Sequence, residues 1–135
     1  MTVLDTNFMI YLLRNKEAAE VADYYSNPKT TTINLFELYY GAKRSVKRKE
    51  SISDINSLLK SVEILQFDKP AADKAAEIQV LLINSGEPIE LQDVLIAGIV
   101  MSKNEELITN NIKHFKRIPG LKCSSWNPTD YGNKS

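Results

Sequence analysis

At 135 residues, 43% of them hydrophobic, the chain is long enough for one globular domain with a real core and needs no second. Seventeen lysines and arginines balance seventeen acids, so overall charge points to neither a nucleic acid nor a membrane surface, and only local charge can. A lone cysteine, Cys123, excludes an internal disulfide and a cysteine zinc cluster; with no leader-like or long apolar segment, the expected compartment is the cytoplasm.

Val3 and Leu4 read as the end of a short strand that stops on Asp5-Thr6-Asn7, residue types that prefer turns and helix starts, so a carboxylate stands at a strand's C-terminal end. Helical spacing follows from Phe8 to Arg14 and from Ala18 to Tyr25, broken by the turn residues of "SNPKT". "TTTIN" at 30–34 is short and β-branched, a second strand, and Asn34 is placed to cap the next helix. That helix carries Leu35, Phe36, Leu38 and Tyr39 toward a basic, solvated tail, "AKRSVKRKE". A helix from Ile52 to Leu59 leads to a third strand, "VEILQF" at 62–67. Asp68, with Pro70 in the following first turn, announces a long helix from Ala71 to Asn84 that Gly86 stops. After the loop "EPIELQ", Asp93 begins the apolar helix "VLIAGIVMS"; "ELIT" at 106–109 is a fourth strand and "LKCSS" a short fifth. Strands separated by helices imply right-handed crossovers, hence an α/β fold: a three-layer α/β/α sandwich whose central sheet, of about five strands, is mainly parallel. The whole chain, 1–135, is read as that single domain, with "GNKS" a polar end.

In such sheets ligands collect beyond the strand C-termini, where strand order reverses, and Asp5 belongs there. Glu37 falls in the first turn of the helix after the second strand, Asp93 in the first turn of the helix before the fourth, and Asn110-Asn111 directly after the fourth. Taken singly, each has a plain structural role, since first turns favour acids and Asn caps helices. Brought together, their carboxylates repel and raise one another's pKa unless a cation neutralises them. The donors are hard oxygens, with no dedicated His or Cys cluster, which suits Mg²⁺ or Mn²⁺ better than zinc. Thr6, Asn7 and Thr109 are placed to orient carboxylates or a phosphate.

"LDTN", "NLFELYYG", "PIELQDVLIAGIV" and "LITNNIKHFKRIPGL" together resemble the PIN domain family, most closely ribonuclease toxins of VapC type. The resemblance runs from about Val3 to Trp126, and the order and spacing of the four segments carry it. It implies a PIN-like fold, metal-dependent hydrolysis of RNA phosphodiesters, a homodimer, and a VapB-like antitoxin whose basic side chain enters the acidic pocket. By resemblance Asp5, Glu37 and Asp93 take the three principal acidic positions and Asn111 the fourth. That last position is Asp in many relatives, so a neutral side chain lowers the charge and leaves a second metal open. The expected roles are coordination by Asp5 and Asp93, alignment or deprotonation of the attacking water by Glu37, and positioning of water or phosphate by Asn111.

Lys43, Arg44 and Lys47, with Arg48 and Lys49, either neutralise RNA phosphates at the pocket mouth or keep a helix solvated; the same two readings hold for Lys113, Lys116 and Arg117. Glu90, three residues before Asp93, is within reach of the same pocket but reads as a solvated loop acid or capping partner, His114 as packed or surface-exposed, and Cys123 as a small, buried or half-buried residue rather than a nucleophile. Adjacent Tyr39 and Tyr40 cannot both face the core, so one meets RNA or another subunit. The rival readings are a PIN nuclease of cellular RNA processing or decay and a non-catalytic acidic-pocket binding module. A phosphotransfer receiver domain or a haloacid-dehalogenase-type phosphatase accounts less well for the four segments, the latter because position 7 is Asn.

Overall fold

The computed structural model describes residues 2–15 and 27–126; the helix expected from Ala18 to Tyr25 and the end "GNKS" lie outside them. In chain order the elements are β1 (Thr2–Leu4), α1 (Thr6–Arg14), β2 (Pro28–Thr31), α2 (Thr32–Arg44), α3 (Arg48–Leu59) and β3 (Glu63–Leu65). Then come α4 (Lys69–Asn84), α5 (Leu91–Ser102), β4 (Glu106–Ile108), the single turn α6 (Ile112–Phe115) and β5 (Cys123–Ser124). The five strands form one sheet in the order β3-β2-β1-β4-β5, every pair parallel. Val3 sits opposite Lys29 on one side and Leu107 on the other. The chain works outward from β1 to β3 and then returns to lay β4 against β1, so strand order reverses between β1 and β4.

Alternation along two strands sets the layers. Val3 and Leu107 enter the core beneath α4 and α5, with Ala71, Ala75, Ile78, Leu82, Ile96 and Val100. Their neighbours Leu4 and Ile108 enter the opposite core, with Phe8, Met9, Leu38, Ile55 and Trp126. Leu4, Phe8, Leu82, Ile96 and Leu107 are fully buried, and each contributes about 1.5–3 kcal/mol relative to exposure. α4 and α5 approach closely at Gly98, where an added Cβ would stand 2.7 Å from the Ala71 carbonyl oxygen and 2.7 Å from the Ala75 Cβ. Among the described residues no helix is long and apolar enough to cross a membrane.

Several boundaries shift from the sequence reading. β2 begins at Pro28 and stops at Thr31, because the Thr31 hydroxyl accepts from the Asn34 backbone N–H at 3.1 Å and starts α2 there. Thr31, not Asn34, is therefore the cap, and Glu37 falls in the second turn of α2 rather than the first. The basic tail does not continue one helix: α2 ends at Arg44, Ser45 is extended, and α3 begins at Arg48, ahead of Ile52. The Asp68 side chain accepts from the Ala71 N–H as the cap of α4, with Pro70 in the first turn, and Gly86 closes its end at φ +73°.

Candidate active site

Asp5 follows β1 at the strand reversal and caps α1, its Oδ1 accepting from the Thr6 N–H at 2.9 Å. Two further side chains fix the same carboxylate: Asn34 Nδ2 donates to Oδ1 at 2.9 Å and the Thr109 hydroxyl donates to Oδ2 at 2.6 Å. Asn34 is fully buried and branches the network. Its side-chain oxygen accepts from Thr31, and its Nδ2 also donates to Thr6 Oγ1, whose hydroxyl donates to Glu37 Oε1 at 2.7 Å. One buried amide thus ties the cap after β1 to the acid on α2.

Opposite stands Asp93, in the first turn of α5. It accepts at Oδ2 from Asn111 Nδ2 at 3.2 Å and lies 3.8 Å from His114 Nδ1. The Asn111 backbone N–H donates to Thr109 Oγ1, so the residue after β4 bridges the Asp5 and Asp93 sides. Asp5, Thr6, Asn7, Glu37, Glu90, Asp93, Asn110, Asn111 and His114 line one open cleft of about 330 Å³. Partial burial raises the Glu37 carboxyl above its ordinary range, the bond from Thr6 opposes this, and the charges of Asp5, Asp93 and Glu90 add to it. Partial burial, then Asp5 and Glu90, likewise push Asp93 up against the pull of His114.

Four of the carboxylates share the cleft, and among the described residues no lysine or arginine forms an ion pair with any of them. That is the electrostatic condition a divalent cation relieves. The donor set is all hard oxygen apart from one imidazole, which fits Mg²⁺ or Mn²⁺. No three of the described His, Cys, Asp and Glu residues gather into a ready-made metal-ligand group.

All four expected acidic-position residues meet here, as do Thr6, Asn7 and Thr109. Lys43, Arg44 and Lys47 do not line the cleft; Arg44 lies over the Tyr40 ring instead. Three further residues contribute. Glu90 occupies the cap position of α5 without a side-chain capping bond and turns into the cleft, its loop held by Arg117 Nη1 donating to the Pro88 carbonyl at 3.1 Å. His114 is placed by α6 beside Asp93, and Asn34 is the network's branch point rather than a cap. Glu90 is exposed, as expected of a solvated loop acid, and His114 is half-buried; their place in the cleft depends on neighbours from other elements. Burial raises the Cys123 thiol, consistent with an inert half-buried residue.

The PIN domain family matches residues 2–121. The tRNA(fMet)-specific endonuclease VapC of Salmonella typhimurium is 31% identical over 127 residues, covering 92% of this chain and 96% of that protein. Ribonuclease VapC2 of Rickettsia felis is 35% identical over 133 residues, with the same coverage of 92% and 96%. Among solved structures, VapBC2 from Rickettsia felis bound to a DNA fragment from its promoter superposes with a TM-score of 0.84 at 32% identity, covering 93% of this chain and 98% of that one. DNA-bound VapBC from Salmonella typhimurium gives 0.85 at 30% identity, again with 93% and 98% covered.

Proposed function

Because this chain belongs to the PIN domain family, among the VapC ribonucleases, we propose that it hydrolyses RNA phosphodiester bonds at the cleft between Asp5 and Asp93, as the toxin of a toxin–antitoxin pair. The observation that carries this reading is the gathering of Asp5, Glu37, Glu90 and Asp93 around one open, polar cleft at the strand reversal. A divalent ion there, Mg²⁺ or Mn²⁺, supplies a polarising charge for the water and phosphate oxygens of the reaction.

The chain's own residues divide the remaining work. Asp5, held on three sides by Thr6, Asn34 and Thr109, and Asp93, held by Asn111, offer fixed oxygens to that ion. Glu37, whose raised pKa makes it a better proton acceptor than an ordinary carboxylate, aligns the attacking water and takes its proton. Asn111 orients water or a phosphate oxygen, and the exposed Asn7 stands at the cleft wall to meet the substrate. Hydrolysis needs no histidine base in this arrangement.

The partner we infer is a VapB-like antitoxin that places a cationic side chain among the four acids, where charge complementarity favours it. A groove of about 300 Å³ includes Glu37 in its wall, mixes the apolar Leu13, Leu38 and Ile55 with the polar Arg14, Ser51 and Asp54, and offers such a segment a seat beside the cleft. A homodimer and a cytoplasmic location complete the reading. The test is to incubate purified, partner-free protein with total RNA and map cut ends with Mg²⁺, with Mn²⁺, with chelator and with Asp93→Asn. Cuts that require the ion and vanish in Asp93→Asn are expected; cleavage that survives both chelation and Asp93→Asn refutes the assignment.

A further inference from the structure

Asn34 is the one polar side chain of α2 that is fully buried, and both of its amide hydrogens are engaged. Its Oδ1 accepts from the Thr31 hydroxyl at 2.7 Å, and Nδ2 donates to Asp5 Oδ1 and to Thr6 Oγ1, each at 2.9 Å. The amide can face only one way, because a flipped one would set its oxygen against the Asp5 carboxylate. With Thr6 Oγ1 accepting from Asn34, the Thr6 hydroxyl hydrogen goes to Glu37 Oε1 at 2.7 Å. The hydrogen bonds therefore run in one direction, from Thr31 through Asn34 to both acids, so that each polarises the next.

The same bonds fix how much of Asp5 is open. A carboxylate has about four lone-pair sites, divided equally between its oxygens. Asp5 Oδ1 takes the Thr6 backbone N–H and Asn34 Nδ2, both at 2.9 Å, and is full. Among the described residues Oδ2 takes only the Thr109 hydroxyl, at 2.6 Å, which leaves it one lone pair. Asp5 is 9% exposed, and it lines the cleft. Of the donors to Oδ1, the Thr6 N–H belongs to the backbone and is present whatever that side chain is. Asn34 is thus the side chain that closes Oδ1.

The number of free oxygens matters to a cation. Ca²⁺ gathers about six to eight ligands and readily takes a carboxylate by both oxygens, whereas the smaller Mg²⁺ demands octahedral geometry and is served by one. Resting on the ribonuclease reading above, we propose that Asn34 is a positioning residue that fills Oδ1 of Asp5 and presents the carboxylate to a divalent cation through Oδ2 alone, so that the cleft selects Mg²⁺ or Mn²⁺ over Ca²⁺.

The test titrates the full chain, without RNA, with MgCl₂, MnCl₂ and CaCl₂ in a calorimeter. The unaltered protein should bind Mg²⁺ and Mn²⁺ about tenfold more tightly than Ca²⁺ or better; equal affinity for Ca²⁺ overturns the proposal whether or not any variant folds. Asn34→Leu keeps the volume and loses the donors. With its folding checked by circular dichroism, it should weaken Mg²⁺ and Mn²⁺ about tenfold or more while Ca²⁺ binding holds or tightens. A part in shape alone would weaken all three ions equally, and that result, like unchanged affinities, overturns the proposal. Thr6→Val keeps the backbone N–H and the Asn34 bond to Asp5 but removes the link to Glu37, so it should retain the preference for the smaller ions. Loss of the preference there too assigns it to the network at large, against a particular role for Asn34. RNA cleavage with Mg²⁺ is assayed separately. If the unaltered protein cuts, the ribonuclease reading stands whichever way the ion preferences fall. If it binds ions in the expected order yet cuts nothing, that reading fails and the role of Asn34 stands; if it neither binds ions nor cuts, both fail.

Discussion

The two ends of the sheet treat charge in opposite ways. Toward the strand N-termini, Lys29 on β2 and Glu105 just before β4 meet at 2.7 Å with side chains only 10% and 3% exposed, and Glu63 lies 3.7 Å from the same ammonium. At the strand C-termini, Asp5, Glu37, Glu90 and Asp93 surround a cleft whose nearest ring nitrogen, His114 Nδ1, lies 3.8 Å from Asp93. The first end carries its counter-ion within the chain and is finished on folding. At the second, partial burial first and the neighbouring carboxylates after it raise the Glu37 and Asp93 carboxyls, a condition that costs stability and that a cation from outside would relieve.

The largest effect expected from disturbing this contrast is on activity. Asp5→Asn removes one fixed oxygen charge from the cleft and should lower RNA cleavage on the order of a thousandfold or more, since metal-assisted charge stabilisation is worth several kcal/mol. Its urea unfolding midpoint should hold or rise because a repulsive charge has gone. Lys29→Met reverses the pattern: it strands Glu105 in the core and should cost about 3–5 kcal/mol in urea unfolding, while the residual folded protein cleaves RNA at the ordinary rate. Adding Glu105→Leu to Lys29→Met should recover much of that loss. The pair also has a pH signature. The bond to Glu105 raises Lys29 above its ordinary 10.5, so its contribution is complete below that value and disappears as alkali carries the pH through the folded pKa.

A smaller effect sharpens the comparison from the other side. Mg²⁺ or Mn²⁺ at about a hundred times its dissociation constant should stabilise the protein by about 2.7 kcal/mol, read as a raised melting temperature, and Asp93→Asn should abolish the increment. A melting curve of the unaltered protein indifferent to both ions would break the contrast. Least of all should be the exposed pair in which Lys103 Nζ donates to Asp68 Oδ2 at 2.6 Å. That bond, and the capped Ala71 N–H, hold the Asp68 carboxyl below its usual 3.8. Its contribution is present above the unfolded value and lost as pH falls through the folded one, so Lys103→Gln should change stability slightly at neutral pH and not at all in strong acid.

Much of this was legible in the residues because it sits where local rules apply. Asp5 is at a strand end, Asp68 is followed by a first-turn proline, and Asp93 opens an apolar helix, so chain-local chemistry located each of them. The succession of short strands separated by helices was enough to imply a parallel sheet with two covered faces, which Val3 and Leu107 on one side and Leu4 and Ile108 on the other now fill. What escaped depends on approach between distant segments. Asn34 has the form of a cap, yet Thr31 three residues earlier takes that role, and its amide then reaches Asp5, 29 residues away in the chain. His114 reaches Asp93 only because β4 lies beside β1 and α6 turns back over the rim. The basic run broke into two helices because Ser45 adopts an extended conformation, which no helical periodicity foretells.

The missing side chain at position 98 has a bearing on the site that distance conceals. Gly98 lets α5 settle directly on the backbone of α4, with no room for even a methyl group between them. Asp93 rides on the same rod, little more than one turn upstream. The carboxylate is thereby indexed to the body of the domain as a gauge is to its rail, and a wedge driven in at that seam would throw the cleft out of alignment without touching any residue that lines it.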